Sequence, residues 1–279
     1  MLDELDFKCL ECDTKLENKV TEFVCPNCNT KYEVKGGTAV FGGVDGGDID
    51  DIFDKIKYKI KKFRFLYNAI VYLISPVYFG NTKRKFIKQH IEGKEGVFLN
   101  IGSGNTEIHP QFINVDLFGY ESVDIQCDIT KIPLADNSVD VVYSESVLEH
   151  CPDPQAVIAE AYRVLKPDGI IYTDVPFMSG FHASPYDFNR WTSEGVKILH
   201  KDFEIEKVEI NTGPTSALMW IFQEWFAILF SFGNKYLHLF FNLFIMGLTF
   251  PIKFLDAILR HYPTSINIAS GFVLIGRKK

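Results

Sequence analysis

Val97-Phe-Leu-Asn-Ile-Gly-Ser-Gly-Asn-Thr106 is the stretch on which the reading of this chain turns. Val97 to Ile101 reads as a short buried strand, and the glycine run follows it directly. Glycine in that position tolerates the dihedrals of a tight turn and lets backbone amides approach a ligand closely. A lone Gly-x-Gly is a weak signal, shared with plain turns, so the residues that follow matter more. Phe112-Ile-Asn-Val-Asp116 reads as a second strand ending in a carboxylate, which can accept hydrogen bonds from both hydroxyls of a ribose. A third strand, Val123-Asp-Ile-Gln126, leads to Cys127-Asp128-Ile129, an acidic–apolar pair suited to an exocyclic amine and the face of an adenine. Ile132 to Asp140 then connects to a further strand, Val141-Val-Tyr-Ser144.

Outward from this core, short β-type runs alternate with polar turns from residue 94 to about 210, which predicts a parallel α/β sheet. Asp153-Pro154 opens a helix, with Asp as cap and Pro in the first helical position. Val157, Ala161, Val164 and Leu165 form its apolar stripe, and Lys166-Pro-Asp-Gly169 is expected to stop it before the strand Ile170–Asp174. Ser270 to Arg277 reads as a final strand. Only residues 102–111 separate the first two strands, whereas a parallel crossover normally takes a dozen or more, so the first crossover helix is expected to shrink to about one turn. No internal repeat stands out.

Five segments in this order carry a resemblance: Asn-Ile-Gly-Ser-Gly104, Asn-Val-Asp116, Asp-Ile129, Ser144-Glu-Ser-Val-Leu-Glu-His150 and Arg163-Val-Leu-Lys-Pro-Asp-Gly169. Together they resemble a class I S-adenosylmethionine-dependent methyltransferase over residues 94–210 plus the last strand. The resemblance implies an α/β fold, a Rossmann-like mostly parallel sheet with an antiparallel terminal strand. It also implies that Gly102, Ser103, Gly104 and Asn105 cradle the methionine part through backbone amides. Asp116, with Leu117 beside it, would hold the ribose; Asp128 and Ile129 would hold the adenine; Ser144 would lie beneath the sulfonium. Asn100 stands where the family often has an acidic residue, and Thr106 replaces the third glycine.

Past the fifth strand lies His182-Ala-Ser-Pro-Tyr-Asp187-Phe-Asn-Arg190-Trp-Thr192, on the edge where open α/β sheets bind ligands. One reading is a substrate-side wall in which His182 or Arg190 contacts an oxygen-rich group and Asp187 orients one of them. The other is an Asp187–Arg190 pair that only pins the loop. His150 likewise reads either as a general base near the methyl donor or as a structural histidine before Pro152. Cys127 and Cys151 read as packing.

Cys9-Leu-Glu-Cys12 and Cys25-Pro-Asn-Cys28 are two C-x-x-C pairs twelve residues apart. Two such knuckles complete a tetrahedral four-sulfur shell, which suits structural Zn²⁺; two disulfides or a redox pair fit the spacing and compartment less well. So short a module buries too little apolar surface to fold alone, and the metal should supply its folding free energy. Lys31-Tyr-Glu-Val-Lys-Gly-Gly37 resembles, over about residues 7–41, the zinc ribbon of small activator proteins that partner tRNA- and protein-modifying methyltransferases. Here the ribbon would be fused rather than supplied in trans.

Residues 1–41 are therefore expected to form the ribbon, 42–52 a Gly/Asp-rich linker, 53–93 a basic and apolar helical segment, and 94–279 the main domain with an apolar helical insertion at 214–262. The chain of 279 residues carries 29 basic and 36 acidic side chains, a net charge of −7, which argues against nucleic-acid binding over its whole surface. The acidic N-terminus lacks an apolar core for secretion, and the expected compartment is a reducing cytoplasm. Two stretches, 55–85 and 216–260, combine apolar and aromatic residues with flanking lysines, as at a membrane surface. In the second, Glu224, Lys235 and Lys253 leave uncharged pieces of at most seventeen residues, read as too short for a comfortable span. A lid over the site and a dimer contact are the other readings. The expected activity is methyl transfer to a saccharide or lipid-linked acceptor near a membrane, by a protein peripheral on its cytoplasmic face; tRNA or translation-factor methylation, and a non-catalytic scaffold, are the alternatives.

Overall fold

A computed structural model describes residues 2, 5–44, 75–78, 80–182 and 185–279 of the chain. The strands are β1 (Glu17–Asn18), β2 (Glu22–Val24), β3 (Lys31–Lys35), β4 (Thr38–Val40), β5 (Phe98–Ile101), β6 (Phe112–Asp116), β7 (Ile125–Gln126), β8 (Val139–Glu145), β9 (Leu165–Pro176), β10 (Phe203–Thr212) and β11 (Gly271–Lys278). They form one sheet in the order β1-β2-β3-β4-β7-β6-β5-β8-β9-β11-β10. From β4 to β9 the main-sheet pairings are parallel. The last strand, β11, runs antiparallel between β9 and β10. Every residue of β5 and β6 is buried, as strands covered on both faces should be, and the polar Asn100 and Asn114 among them are hydrogen-bonded to each other at 2.9 Å. The fold is the expected Rossmann-like, mostly parallel sheet with an antiparallel terminal strand.

Three local expectations are refined or corrected. No helix joins β5 to β6, only a single turn closed by the Thr106 amide donating to the Ser103 carbonyl at 3.3 Å. The amides of Gly102 and Ser103 both donate to the Val115 carbonyl, at 2.8 and 3.1 Å, so the chain folds straight back over the end of β6. The third strand is only two residues long, because the Asp124 carboxylate accepts from the Asn114 amide at 2.8 Å just before it. Lys166–Gly169 does not separate helix from strand: helix Pro154–Val164 passes directly into β9, which takes in the whole run with Asp168 at a φ of 63°. Asp153 does cap that helix, accepting from the Ala156 amide at 3.0 Å.

The cysteine-bearing module is an extension of the main sheet. β4 pairs in parallel with β7. The Lys8 amide donates to the Pro133 carbonyl at 3.0 Å. The Thr38 hydroxyl donates to the Val123 carbonyl at 2.7 Å. Phe7, Phe23, Tyr32 and Phe41 share one buried core with Ile125 and Leu134. After Phe41 the chain crosses the sheet edge, where the Val44 amide donates to the Leu117 carbonyl at 3.0 Å. Most of the expected linker and of the basic and apolar segment, residues 45–74 and 79, lies outside the described residues. Helix α1 (Thr82–His90) follows.

Helix α2 is Pro154–Val164 and α3 is Ser193–Leu199. At the end of α3, His200 is wholly buried, with Nε2 2.9 Å from the Thr173 hydroxyl and Nδ1 2.9 Å from the Val196 carbonyl. Burial pushes its pKa down to about 4. The unfolded imidazole, near 6.5, therefore takes up a proton that the folded one refuses, and stability is lost as pH falls from about 6.5 towards 4. At pH 5 this costs about 2 kcal/mol. Urea denaturation at pH 7 and pH 5 should show His200→Asn losing about that much less than the parent on acidification; equal losses would refute the assignment.

The insertion is a helical pair, α4 (Pro214–Ser231) and α5 (Lys235–Thr249). The helical run begun by α5 continues to Leu259, 25 residues long and apolar enough by length and composition to cross a membrane, although its longest uncharged piece is the expected seventeen residues. Its internal charges at Lys253 and Asp256 turn inward. Lys253 is fully buried and donates to the Ser75 carbonyl at 2.8 Å. Asp256, also fully buried, accepts from the amides of Thr215 and Ser216 at 2.8 and 2.7 Å. It thereby caps α4, whose own N-cap residue, Gly213, has no side chain to do so.

Candidate functional site

The carboxyl ends of β5, β6, β8 and β9 meet at one edge of the sheet. Gly102 sits there at a φ of 66°, and a Cβ on it would lie 2.4 Å from Val147, so both the turn and the packing demand glycine. Gly104, at a φ of 56°, faces open space. Its amide donates to Asp116 Oδ2 at 2.7 Å, and the Phe118 amide donates to Oδ1 at 2.9 Å. Burial raises the Asp116 pKa, opposed by these two amides. A carboxylate has about four lone-pair sites, so two remain for hydroxyl donors.

Three of the four amides expected to cradle a ligand make hydrogen bonds within the chain. The amides of Gly102, Ser103 and Gly104 are all engaged within the chain, by the Val115 carbonyl and the Asp116 carboxylate. What the loop presents is its open face at Gly104 and exposed Asn105. Leu117, next to Asp116, is 38% exposed and offers apolar surface at the same edge. Asp128 is exposed; its Oδ1 accepts from the amide and hydroxyl of Thr130, both at 2.8 Å, while Ile129 packs into the core. Ser144, near the end of β8, is fully buried and its hydroxyl has no hydrogen-bond partner. An orphaned buried hydroxyl beside an open edge is what a site built around an absent ligand leaves behind.

Beyond β8 a 3-10 turn, Leu148–His150, carries Glu149 and His150. Glu149 is fully buried and neither carboxylate oxygen has a hydrogen-bond partner. Its Oε1 lies 3.5 Å from His182 Nε2 and 3.9 Å from His150 Nε2. His150 Nδ1 sits 2.5 Å from the Tyr186 carbonyl, tying the turn to the loop after β9. The neighbouring Glu149 carboxylate holds the His182 pKa above its ordinary value, against desolvation. The Trp220 ring of α4 lies 5.4 Å from that of His182 and walls this side of the site.

Arg190 is fully occupied by its own loop. It pairs with both oxygens of Asp187 and donates to the Gly180 and Asn189 carbonyls at 2.9 and 2.7 Å. Asp187, held down to about 2 by Arg190, also accepts from the His182 amide at 2.8 Å. Of the three side chains expected on the substrate side, His182 faces the site, and Asp187 and Arg190 form the pair that positions it. The functional candidate that the sequence does not single out is Glu149: an acidic residue before a histidine carries no sign that it will be buried without a hydrogen-bond donor. Cys127 and Cys151 pack as expected, burial pushing the Cys151 thiol up to about 11.

The four N-terminal cysteines converge. Sγ–Sγ separations are 3.5 Å for Cys9–Cys28, 3.4 Å for Cys12–Cys25 and 3.6 Å for Cys12–Cys28, and no disulfide forms. A tetrahedron of 2.3 Å zinc–sulfur bonds has edges of about 3.8 Å, so the donor set fits Zn²⁺ with no position left open. The two knuckles repeat one design, Cys-x-x-Cys-Asp13-Thr14 and Cys-x-x-Cys-Asn29-Thr30. Asp13 and Asn29 adopt φ values of 57° and 60°, and their amides return to Cys9 and Cys25 carbonyls at 2.9 and 3.0 Å. Asp and Asn are the non-glycine residues best suited to that conformation. A six-residue repeat was thus present in the sequence after all.

Residues 103–173 match the family model described as a methyltransferase domain. Arsenite methyltransferase of Aquipseudomonas alcaligenes is 38% identical over 101 residues, covering 33% of this chain and 29% of that protein. The ubiquinone/menaquinone biosynthesis C-methyltransferase of Desulfotalea psychrophila is 43% identical over 53 residues, covering 19% of this chain and 22% of that protein. The matched stretches thus span under a third of either relative's length. Among solved structures, the complex between the Haloferax volcanii Trm112 methyltransferase activator and a methyltransferase aligns with a TM-score of 0.47 at 14% identity, over 82% of this chain and 99% of that one.

Proposed function

We propose that the protein is an S-adenosylmethionine-dependent methyltransferase whose acceptor is a saccharide or lipid-linked molecule at a membrane surface. The observation that carries the cofactor assignment is the sheet edge itself. Asp116 ends β6 with two acceptor sites to spare, under a loop kept open at Gly104 and beside the orphaned Ser144 hydroxyl. The bound cofactor supplies a methyl group activated on a sulfonium. Asp116 binds the ribose, with Leu117 beside it; Asp128 and Ile129 flank the adenine; Asn105 and the loop face meet the methionine part; Ser144 lies beneath the sulfur. The protein's task is positioning, because transfer needs nucleophile, methyl and sulfur in line. The ribbon cysteines hold one structural Zn²⁺.

The acceptor reading is supported by the insertion. Of the twenty-eight large apolar side chains exposed among the described residues, twenty-one lie between Leu218 and Ile268, including Trp225, Phe232, Phe240 and Phe244. So concentrated a patch exceeds what a soluble surface ordinarily carries and marks an interaction site. Trp220, on the same helix, reaches His182, so this surface and the substrate side of the site are continuous. That continuity, with the net charge of −7, favours a lipid-borne acceptor over RNA.

Liposome flotation tests the surface. The parent should rise with vesicles, and Trp225→Glu/Leu243→Glu, altering residues 56% and 50% exposed, should rise at least ten times less. Equal flotation would remove the membrane from the proposal. Label from methyl-tritiated cofactor, incubated with fractionated extract, should enter the lipid-soluble fraction; label only in RNA or protein would overturn the acceptor class.

A further inference from the structure

We infer that Glu149, His150 and His182 form a second metal site, for a divalent first-row transition ion, separate from the cysteine ribbon and on the acceptor side of the sheet edge. One ligand atom from each of the three lies within 4.8 Å of the others. Glu149 is wholly buried with both oxygens unpartnered, an arrangement that costs several kcal/mol for an ionised carboxylate unless a cation meets it. Both imidazoles are held at Nδ1 by the loop after β9. His150 Nδ1 lies 2.5 Å from the Tyr186 carbonyl and His182 Nδ1 lies 3.1 Å from the Gly180 carbonyl, and a carbonyl can only accept. His150 Nδ1 therefore carries the hydrogen, whereas His182 Nδ1 has both the Gly180 carbonyl and an Arg190 guanidinium nitrogen, at 3.4 Å, beside it; the two Nε2 atoms lie on the side of Glu149 Oε1, at 3.9 and 3.5 Å. Neither distance is a hydrogen bond of ordinary geometry.

Two imidazole nitrogens and a buried carboxylate oxygen converging on one point are a ligand set, which a metal ion occupies by displacing any proton held between them. Backbone carbonyls holding the distal imidazole nitrogens are the usual supports of metal-bound histidine. Two imidazoles and one carboxylate suit zinc, iron or manganese and leave coordination positions open, in contrast to the closed sulfur shell. Asp187 and Arg190 serve the site by fixing the His182 backbone.

The consequence for chemistry rests on the methyl-transfer reading; the metal itself does not. An acceptor hydroxyl bound at an open position ionises near neutral pH, as metal-bound water does. Its proton leaves to solvent, the oxygen forms a bond to the methyl carbon, and the carbon–sulfur bond breaks to leave the neutral thioether. The acceptor class is thus an oxygen nucleophile.

Cobalt titration of the full chain, with cysteine thiolates already loaded, tests the site. A second equivalent of Co²⁺ should bind and give ligand-field bands without further thiolate charge-transfer absorption, and metal analysis should then read two ions per chain. His182→Ala and Glu149→Gln should each retain one, with unchanged circular dichroism for His182→Ala, whose side chain is 31% exposed. Retention of one ion by the parent, or of two by His182→Ala, would overturn the site. Calorimetry with S-adenosylmethionine is unaffected by either result, so failure here is distinguishable from failure of the cofactor assignment.

Discussion

Stripping the metal from the cysteine ribbon is expected to destabilise the whole molecule, not a detachable module. Structural zinc in small modules contributes about 10 kcal/mol or more, because the ligands are not preformed in the unfolded chain. Four thiolates converging at 3.4–3.6 Å without an ion repel one another, and Cys9 and Cys25 are fully buried. Loss of the knuckles releases β2 to β4. β4 is paired to β7, and the ring cluster of Phe7, Phe23 and Phe41 belongs to the same core as Ile125 and Leu134. A strong chelator should therefore lower the melting temperature of the main sheet in a single transition, and Cys25→Ser should do the same without chelator. Two separate transitions, with the second unmoved, would show the ribbon to be independent. A zinc content near zero in the folded protein would show that the thiolates hold no metal.

The second large effect is expected at Asp116. A hydrogen bond to a charged group contributes about 1.5–3 kcal/mol, so a carboxylate accepting from two ribose hydroxyls should contribute about 3–6 kcal/mol to cofactor binding. Asp116→Ala should then weaken S-adenosylmethionine at least 100-fold, since about 1.4 kcal/mol is a factor of ten. The substitution also removes the acceptor for the Gly104 and Phe118 amides, so the loop over the site loses its anchor. Asp116→Asn, which keeps one carbonyl oxygen, should fall between the two. An affinity within threefold of the parent in Asp116→Ala would mean that the ribose lies elsewhere.

How much of this could be read from the chain follows from which forces decide each feature. β5, β6 and β8 are short, mainly apolar runs rich in Val, Ile and Phe, and burial on both faces suits them. Asp153-Pro154 fixed the start of α2 through local capping. Cys9, Cys12, Cys25 and Cys28 were legible because metal coordination imposes spacing. What escaped the sequence depended on partners far along the chain. The glycine-loop amides turn to Val115 and Asp116 because the crossover is too short to hold a helix. Lys253 reads as a break in an apolar run, yet it is satisfied inside by Ser75, as Asp256 is by the start of α4, and the exposed face stays apolar. Glu149 became visible only once its lack of a donor could be seen.

Titration of the intact, zinc-loaded chain with S-adenosylmethionine in a calorimeter tests the central claim most directly. One molecule should bind per chain, with heat that disappears in Asp116→Ala. No heat in the parent, or the same heat and stoichiometry in both proteins, would contradict a cofactor site at the ends of β5 and β6.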